Sequence, residues 1–122
     1  VSVQIEFGDT SLILNISGKT MVTTLRKKIE IPYNSVEEVR ISNFKFPLTA
    51  VKRTGITTIG YKAGIFIIDK KKYFLSYHDA NKVAILGLKG FEFDKIVVES
   101  EDPEQLEKNI LMRCSHINDQ TP

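Results

Sequence analysis

Gly18-Lys19-Thr20 is the first place where residue types suggest chemistry, because it matches the end of a phosphate-binding loop. That loop also needs a glycine five residues before the Gly-Lys pair, so that backbone can wrap the phosphates. Ile13 stands there, and the flanking pattern is that of a hairpin rather than a strand feeding a crossover helix. Cys114 and His116 lie two apart, and His78 precedes Asp79. Structural zinc takes four ligands in paired clusters, whereas the chain has one Cys and two His. A Cys–His nucleophile also needs an orienting group and an oxyanion site, and no residues present themselves for either. The carboxylates Glu37-Glu38 and Glu99, Glu101 and Asp102 read as solvation of a strand edge and as charge at a helix N-terminus. Asn15-Ile16-Ser17 spells a glycosylation sequon, but inside an expected strand. No catalytic residue, metal or cofactor is therefore expected. One group remains. Lys52, Arg53 and Lys62 fall near Gly55 and Gly60, where glycine lets backbone N–H groups approach an anion and the cations add attraction. These three are the candidate ligand-binding residues.

The wider charge pattern fits that choice. Residues 19–72 carry twelve Lys/Arg against four Asp/Glu, and the rest carry five against eleven, for a net +2. A basic middle and an acidic C-terminal third steer anions to one face, or solvate two opposite faces. Nucleic acid is disfavoured: the sequence pI is only about 8.7, and no stack of exposed aromatics interleaves the cations. One cysteine excludes an intrachain disulfide framework and suits a reducing, cytoplasmic setting. No apolar run reaches the ~18 residues of a membrane span. The first residue is Val1, not Met, which leaves room for an upstream tag, signal or anchor.

The elements that must position these residues read mainly as strands. In 1–7, Val1, Val3, Ile5 and Phe7 alternate with polar residues, and Leu12, Leu14 and Ile16 do so in 11–16, with Gly8-Asp9-Thr10 as the turn. Met21, Val22, Leu25 and Ile29 recur at helical spacing, so 18–28 is expected to be a short helix that Pro32 stops. Val36–Phe44 is a third strand, and 43–62 a long loop whose Phe44, Phe46, Leu48 and Val51 can pin it over a sheet edge. Four runs follow as an antiparallel meander: Gly64–Ile68, Tyr73–Tyr77, Lys82–Leu86 and Asp94–Val98. Asp102 then caps a C-terminal helix, with Pro103 at its first position and Leu106, Ile110 and Cys114 in one stripe. Residues 1–114 make one domain, and 115–122 a polar tail that frays.

Seven antiparallel strands closed by a C-terminal amphipathic helix resemble the pleckstrin-homology (PH) order, and the wording is closest to bacterial PH-like domains. The resemblance rests on 18–28 leading into Ile31-Pro32-Tyr33-Asn34-Ser35-Val36, and on Arg53-Thr54-Gly55 with Ala63-Gly64-Ile65-Phe66. It continues through Phe93-Asp94-Lys95-Ile96-Val97-Val98 into Glu101-Asp102-Pro103-Glu104. It implies a mainly β (α+β) sandwich or partly open barrel, capped by the last helix, and a non-catalytic module. Eukaryotic relatives bind phosphoinositides through cations in the first strand–loop–strand; here Phe7 to Leu12 carries none. The expectation is a binding or scaffolding module that engages another protein or a second copy of itself. The alternative is an anionic-ligand or membrane-surface module, for a lipid headgroup, using Lys52, Arg53 and Lys62.

Overall fold

A computed structural model describes residues 3–47, 49–58 and 61–118. Its strands are β1 (Val3–Phe7), β2 (Ser11–Ile16), β3 (Lys28–Pro32), β4 (Val36–Ser42), β5 (Val51–Thr58), β6 (Tyr61–Ile68), β7 (Lys71–Tyr77), β8 (Val83–Leu88) and β9 (Lys95–Glu99). Helices α1 (Gly18–Thr24), α2 (Pro103–Arg113) and α3 (Ser115–Asn118) and a 3-10 turn at Tyr33–Ser35 complete it. One sheet has the order β1-β2-β3, the other β4-β8-β9-β7-β6-β5. The fold is the expected mainly β arrangement of two sheets with a C-terminal helix; it is not a closed barrel.

Period-two patterning builds the small sheet. Leu12, Leu14 and Ile16 of β2 and Ile29 and Ile31 of β3 are buried, while their neighbours face outward. Here the helical reading of 18–28 needs correction. Leu25 turns left-handed (φ 58°), its N–H bonding Met21 O at 2.8 Å, and the chain leaves α1 to pair Leu14 with Ile29. Ile29 fits a 3.6-residue period and a two-residue period equally well. Ile31 follows it at the strand spacing, and β2 supplies the ladder that decides.

The second correction concerns the long loop. Residues 51–58 form β5, paired with β6 across a bulge between Lys52 and Thr54. Gly55 lies opposite Gly64, whose φ is +141°. A Cβ on Gly64 would fall 2.1 Å from Thr54 O, so this crossing tolerates only glycine. The remaining strap follows the expected covering role, over a sheet face rather than an edge. Phe46 stands edge-on to Phe66 at 5.3 Å and Phe44 edge-on to Tyr77 at 5.8 Å. Together they cover the outer face formed by Phe66, Ile68, Leu75, Tyr77, Val83, Ile85 and Val97. Leu48 lies outside the described residues, and Val51 is exposed.

The third correction is to strand order. β6 and β7 form a hairpin through Asp69 and Lys70, both at positive φ, the geometry of a tight two-residue turn. However, β9 inserts between β7 and β8, parallel to β7 (Phe74↔Ile96) and antiparallel to β8 (Leu86↔Ile96). Central strands buried on both faces read as apolar runs, and such runs do not specify which neighbour they pair with. The inner face of this sheet, with Ile65, Phe74, Ala84, Leu86, Ile96 and Val98, meets the small sheet and α2 in the main core. Full burial of Phe74 and Phe93 contributes about 2–3 kcal/mol each. In α2, Asp102 Oδ1 accepts from Gln105 N–H at 3.1 Å, and Leu106, Ile110 and Cys114 are buried, as their spacing requires. Residues 115–118 add one short turn; the rest of the expected tail lies outside the described residues.

Candidate functional site

Helix α1 lies against the β5–β6 ladder and is held there by hydroxyls. Thr20 Oγ1 bonds Tyr61 Oη and stands 3.1 Å from Ser76 Oγ, all three residues being buried. Thr54 Oγ1 donates to Thr23 O at 2.6 Å. Tyr61 pairs with Thr58 at one end of β5, and Thr54 lies nearer its other end. The helix therefore runs from Tyr61 toward Thr54. Thr23 and Thr24 donate back to the carbonyls of Lys19 and Thr20, which suits a helix that ends after two turns.

What this rim presents to solvent is unusual. Val22 is 69% exposed, Leu25 89% and Val51 59%. Among the described residues only Met112 on α2 is a comparably exposed large apolar side chain. Leu25 is also left-handed at the helix C-terminus, a position where glycine is favoured and where a β-carbon costs about 1–2 kcal/mol. Neither burial nor backbone preference accounts for leucine there. A shallow apolar depression of about 440 Å³ opens along Gly18, Met21 and Val22. Residues 19–28 carry four cations and no acid. Of these, Arg26 is committed to a two-pronged ion pair with Glu92, and Lys28 lies 3.6 Å from Glu30. Lys19 and Lys27 are exposed and enter no ion pair among the described residues.

The three residues singled out from sequence separate into two settings. Lys52 and Arg53 are exposed on β5 at its bulge, next to Val51 and one or two residues from the Thr54–Thr23 bond. Lys52 shares the outer sheet face with Phe66, its partner across the ladder. Lys62 lies on that face too, but four residues further along β6, roughly 13 Å away. Its Nζ sits 5.5 Å above the Phe46 ring. The three cannot converge on one phosphate. Lys52 and Arg53 share with α1 only the neighbourhood of Thr54, whose hydroxyl bonds Thr23 O, and Lys52 faces the side of the sheet opposite the helix. The sequence reading used Val22 and Leu25 only as markers of a helical period, and the structure leaves both in solvent.

The other sequence candidates are each held in separate contacts. Gly18-Lys19-Thr20 opens the two-turn α1 with Thr20 buried and Lys19 in solvent, so no backbone cradle forms. Cys114 is buried, its thiol held 3.6 Å from Tyr33 O, and burial pushes its pKa up. His116 Nε2 stands 2.6 Å from Val36 O and donates there, so each side chain serves a separate carbonyl. His78 stacks on Tyr61 at 4.3 Å. Burial drives Tyr77 up to about 12, which keeps it neutral under the outer strap. Among the described residues no three His, Cys, Asp or Glu side chains cluster as metal ligands.

A protein-family model described as bacterial PH domain matches residues 10–114. No curated protein and no solved structure matches.

Proposed function

Since this chain belongs to the bacterial PH domain family, we propose that it is a non-catalytic module that docks on an anionic membrane surface through the α1–β5 rim. PH domains are in general non-catalytic binding modules. One observation carries it: Val22, Leu25 and Val51 stand in solvent, and the exposed cations Lys19 and Lys27 of the α1 segment and Lys52 and Arg53 of β5 have no ion-pair partner among the described residues. An apolar tip within a basic collar matches the boundary between headgroups and acyl chains. Each cation near an anionic leaflet contributes about 1 kcal/mol, and burying each apolar side chain about 1.5–2 kcal/mol. Together these suffice for reversible peripheral binding. No helix among the described residues is long and apolar enough to cross a membrane. On this reading the module is cytoplasmic, residues 1–114 are the binding unit and 115–122 its tail, and Lys62 stays with Phe46 outside the collar.

Flotation with phosphatidylserine-containing vesicles tests the proposal. The protein should float with them at low salt, less at moderate salt, and not with phosphatidylcholine alone. Changing Lys52 and Arg53 to Glu should abolish flotation. Absence of flotation at low salt, or flotation indifferent to those changes, rejects it.

Association with another protein or a second copy is favoured by a different observation. β1 and β5 are edge strands, each with one ladder partner among the described residues. Light scattering across a concentration range tests the self-association form, which a strict monomer rules out.

A further inference from the structure

The open edge of β1 and the flank of α2 enclose a groove of about 470 Å³. β1 has five residues and α2 eleven, so each spans roughly 17 Å. They run side by side. Val3 and Leu106 both line the groove, and Arg113 of α2 lies 4.4 Å over the Phe7 ring of β1. Ile5 lines its floor, while the amides of Gln105 and Asn109 form the helical wall.

The phase of the β1–β2 ladder decides what that edge offers. Gly8 N–H bonds Ser11 O at 2.9 Å, which makes Gly8–Ser11 a hydrogen-bonded pair. Antiparallel pairs alternate, so Glu6 with Ile13 and Gln4 with Asn15 also exchange bonds. On the far side of β2, Ile16 N–H bonds Lys27 O at 2.8 Å, as the same alternation requires. The N–H and C=O groups of Val3, Ile5 and Phe7 therefore point away from β2, into the groove. These three residues also supply its apolar lining. An unpaired strand edge lined by backbone donors and acceptors is a template for another strand.

The electrostatics select the strand. Residues 99–107 hold five acids and no cation. Glu99 is partly engaged, its Oε1 accepting from the N–H groups of His78 at 2.6 Å and Asp79 at 3.3 Å, and Asp102 caps α2. Glu101 lines the groove and is exposed, with no ion-pair partner among the described residues. We propose that the β1–α2 groove binds an extended, basic segment of a partner protein as an added strand beside β1. Its backbone pairs with Val3, Ile5 and Phe7, its apolar side chains enter over Ile5 and Leu106, and a cation lies against Glu101. This site is separate from the α1–β5 rim, and the cations of the rim take no part in it.

The probe is a capped eight-residue peptide alternating valine and lysine, titrated to millimolar concentration into the isotope-labelled chain. Binding should shift groove resonances and slow hydrogen exchange at the amides of Val3, Ile5 and Phe7. Those of Gln4 and Glu6, already paired with β2, should not change. A valine–glutamate peptide, or one with a central proline, should not bind. Gln105→Glu adds charge at a position compatible with the helix cap and should tighten binding about fivefold; Glu101→Lys should weaken it about fivefold. The proposal fails if the peptide does not bind, or if the two variants leave affinity unchanged. It fails equally if protection appears at Gln4 and Glu6 instead. Protection of the β1 amides by concentration alone, with no peptide present, would assign the groove to a second copy and also overturn it.

Discussion

Leu25→Gly should leave the fold as stable or slightly more so while removing most of the binding to anionic vesicles. Leu25 is 89% exposed, so the tenth of its surface that touches protein is worth only about 0.3 kcal/mol. Its left-handed backbone, φ 58° and ψ 34°, costs about 1–2 kcal/mol with a β-carbon present and almost nothing with glycine. Against that gain stands the greater freedom of glycine in the unfolded chain, about 0.5–1 kcal/mol. The balance is about half a kcal/mol in favour of glycine, a rise of roughly 2 °C in Tm for a domain this size. At a membrane the sign reverses. A leucine that enters the interface contributes about 1.5–2 kcal/mol, so its loss should weaken vesicle binding by at least about tenfold. Calorimetry or circular dichroism reads the first quantity and flotation the second. If Tm drops by several degrees, Leu25 packs against the protein and the rim is misread. If vesicle binding persists unchanged, the apolar tip does not insert.

Gly64→Ala should cost about 3 kcal/mol or more, since the β-carbon meets Thr54 O and φ is +141°; a thermal melt lowered by under about 3 °C would contradict the close β5–β6 crossing. One tyrosine, Tyr77, should ionise near pH 12 in an ultraviolet titration of the native protein. Its folded pKa is raised, so the protonated form is favoured by folding, and this contribution is complete below pH 10. It should fade between about pH 10 and 12, and Tyr77→Phe should flatten that part of the stability profile. Burial also raises Tyr33 and Tyr73, which adds to alkaline instability in the same direction.

How far the sequence could be read depended on the kind of signal. The alternation in β1 and β2 and the Asp102-Pro103 cap of α2 are local, and the structure follows them closely. The helical reading failed at Ile29, where the spacing suits helix and strand alike and only the ladder with β2 separates them. β5 escaped notice because its bulge and glycine break the two-residue period. Both are imposed by the approach of β6. In the candidate rim, Lys52 and Arg53 were visible as cations beside a glycine. Val22 and Leu25 were not visible as surface residues, since apolar residues at helical spacing usually face a core.

From composition and period alone came the mainly β class and the two terminal landmarks, because these depend on neighbours a few residues apart. Strand order, the insertion of β9 between β7 and β8, the seating of α1 on β5 and β6 and the open edge beside α2 depend on contacts between distant segments. Their energies arise only when whole faces are buried together. The tertiary structure therefore decided which apolar residues were left in water.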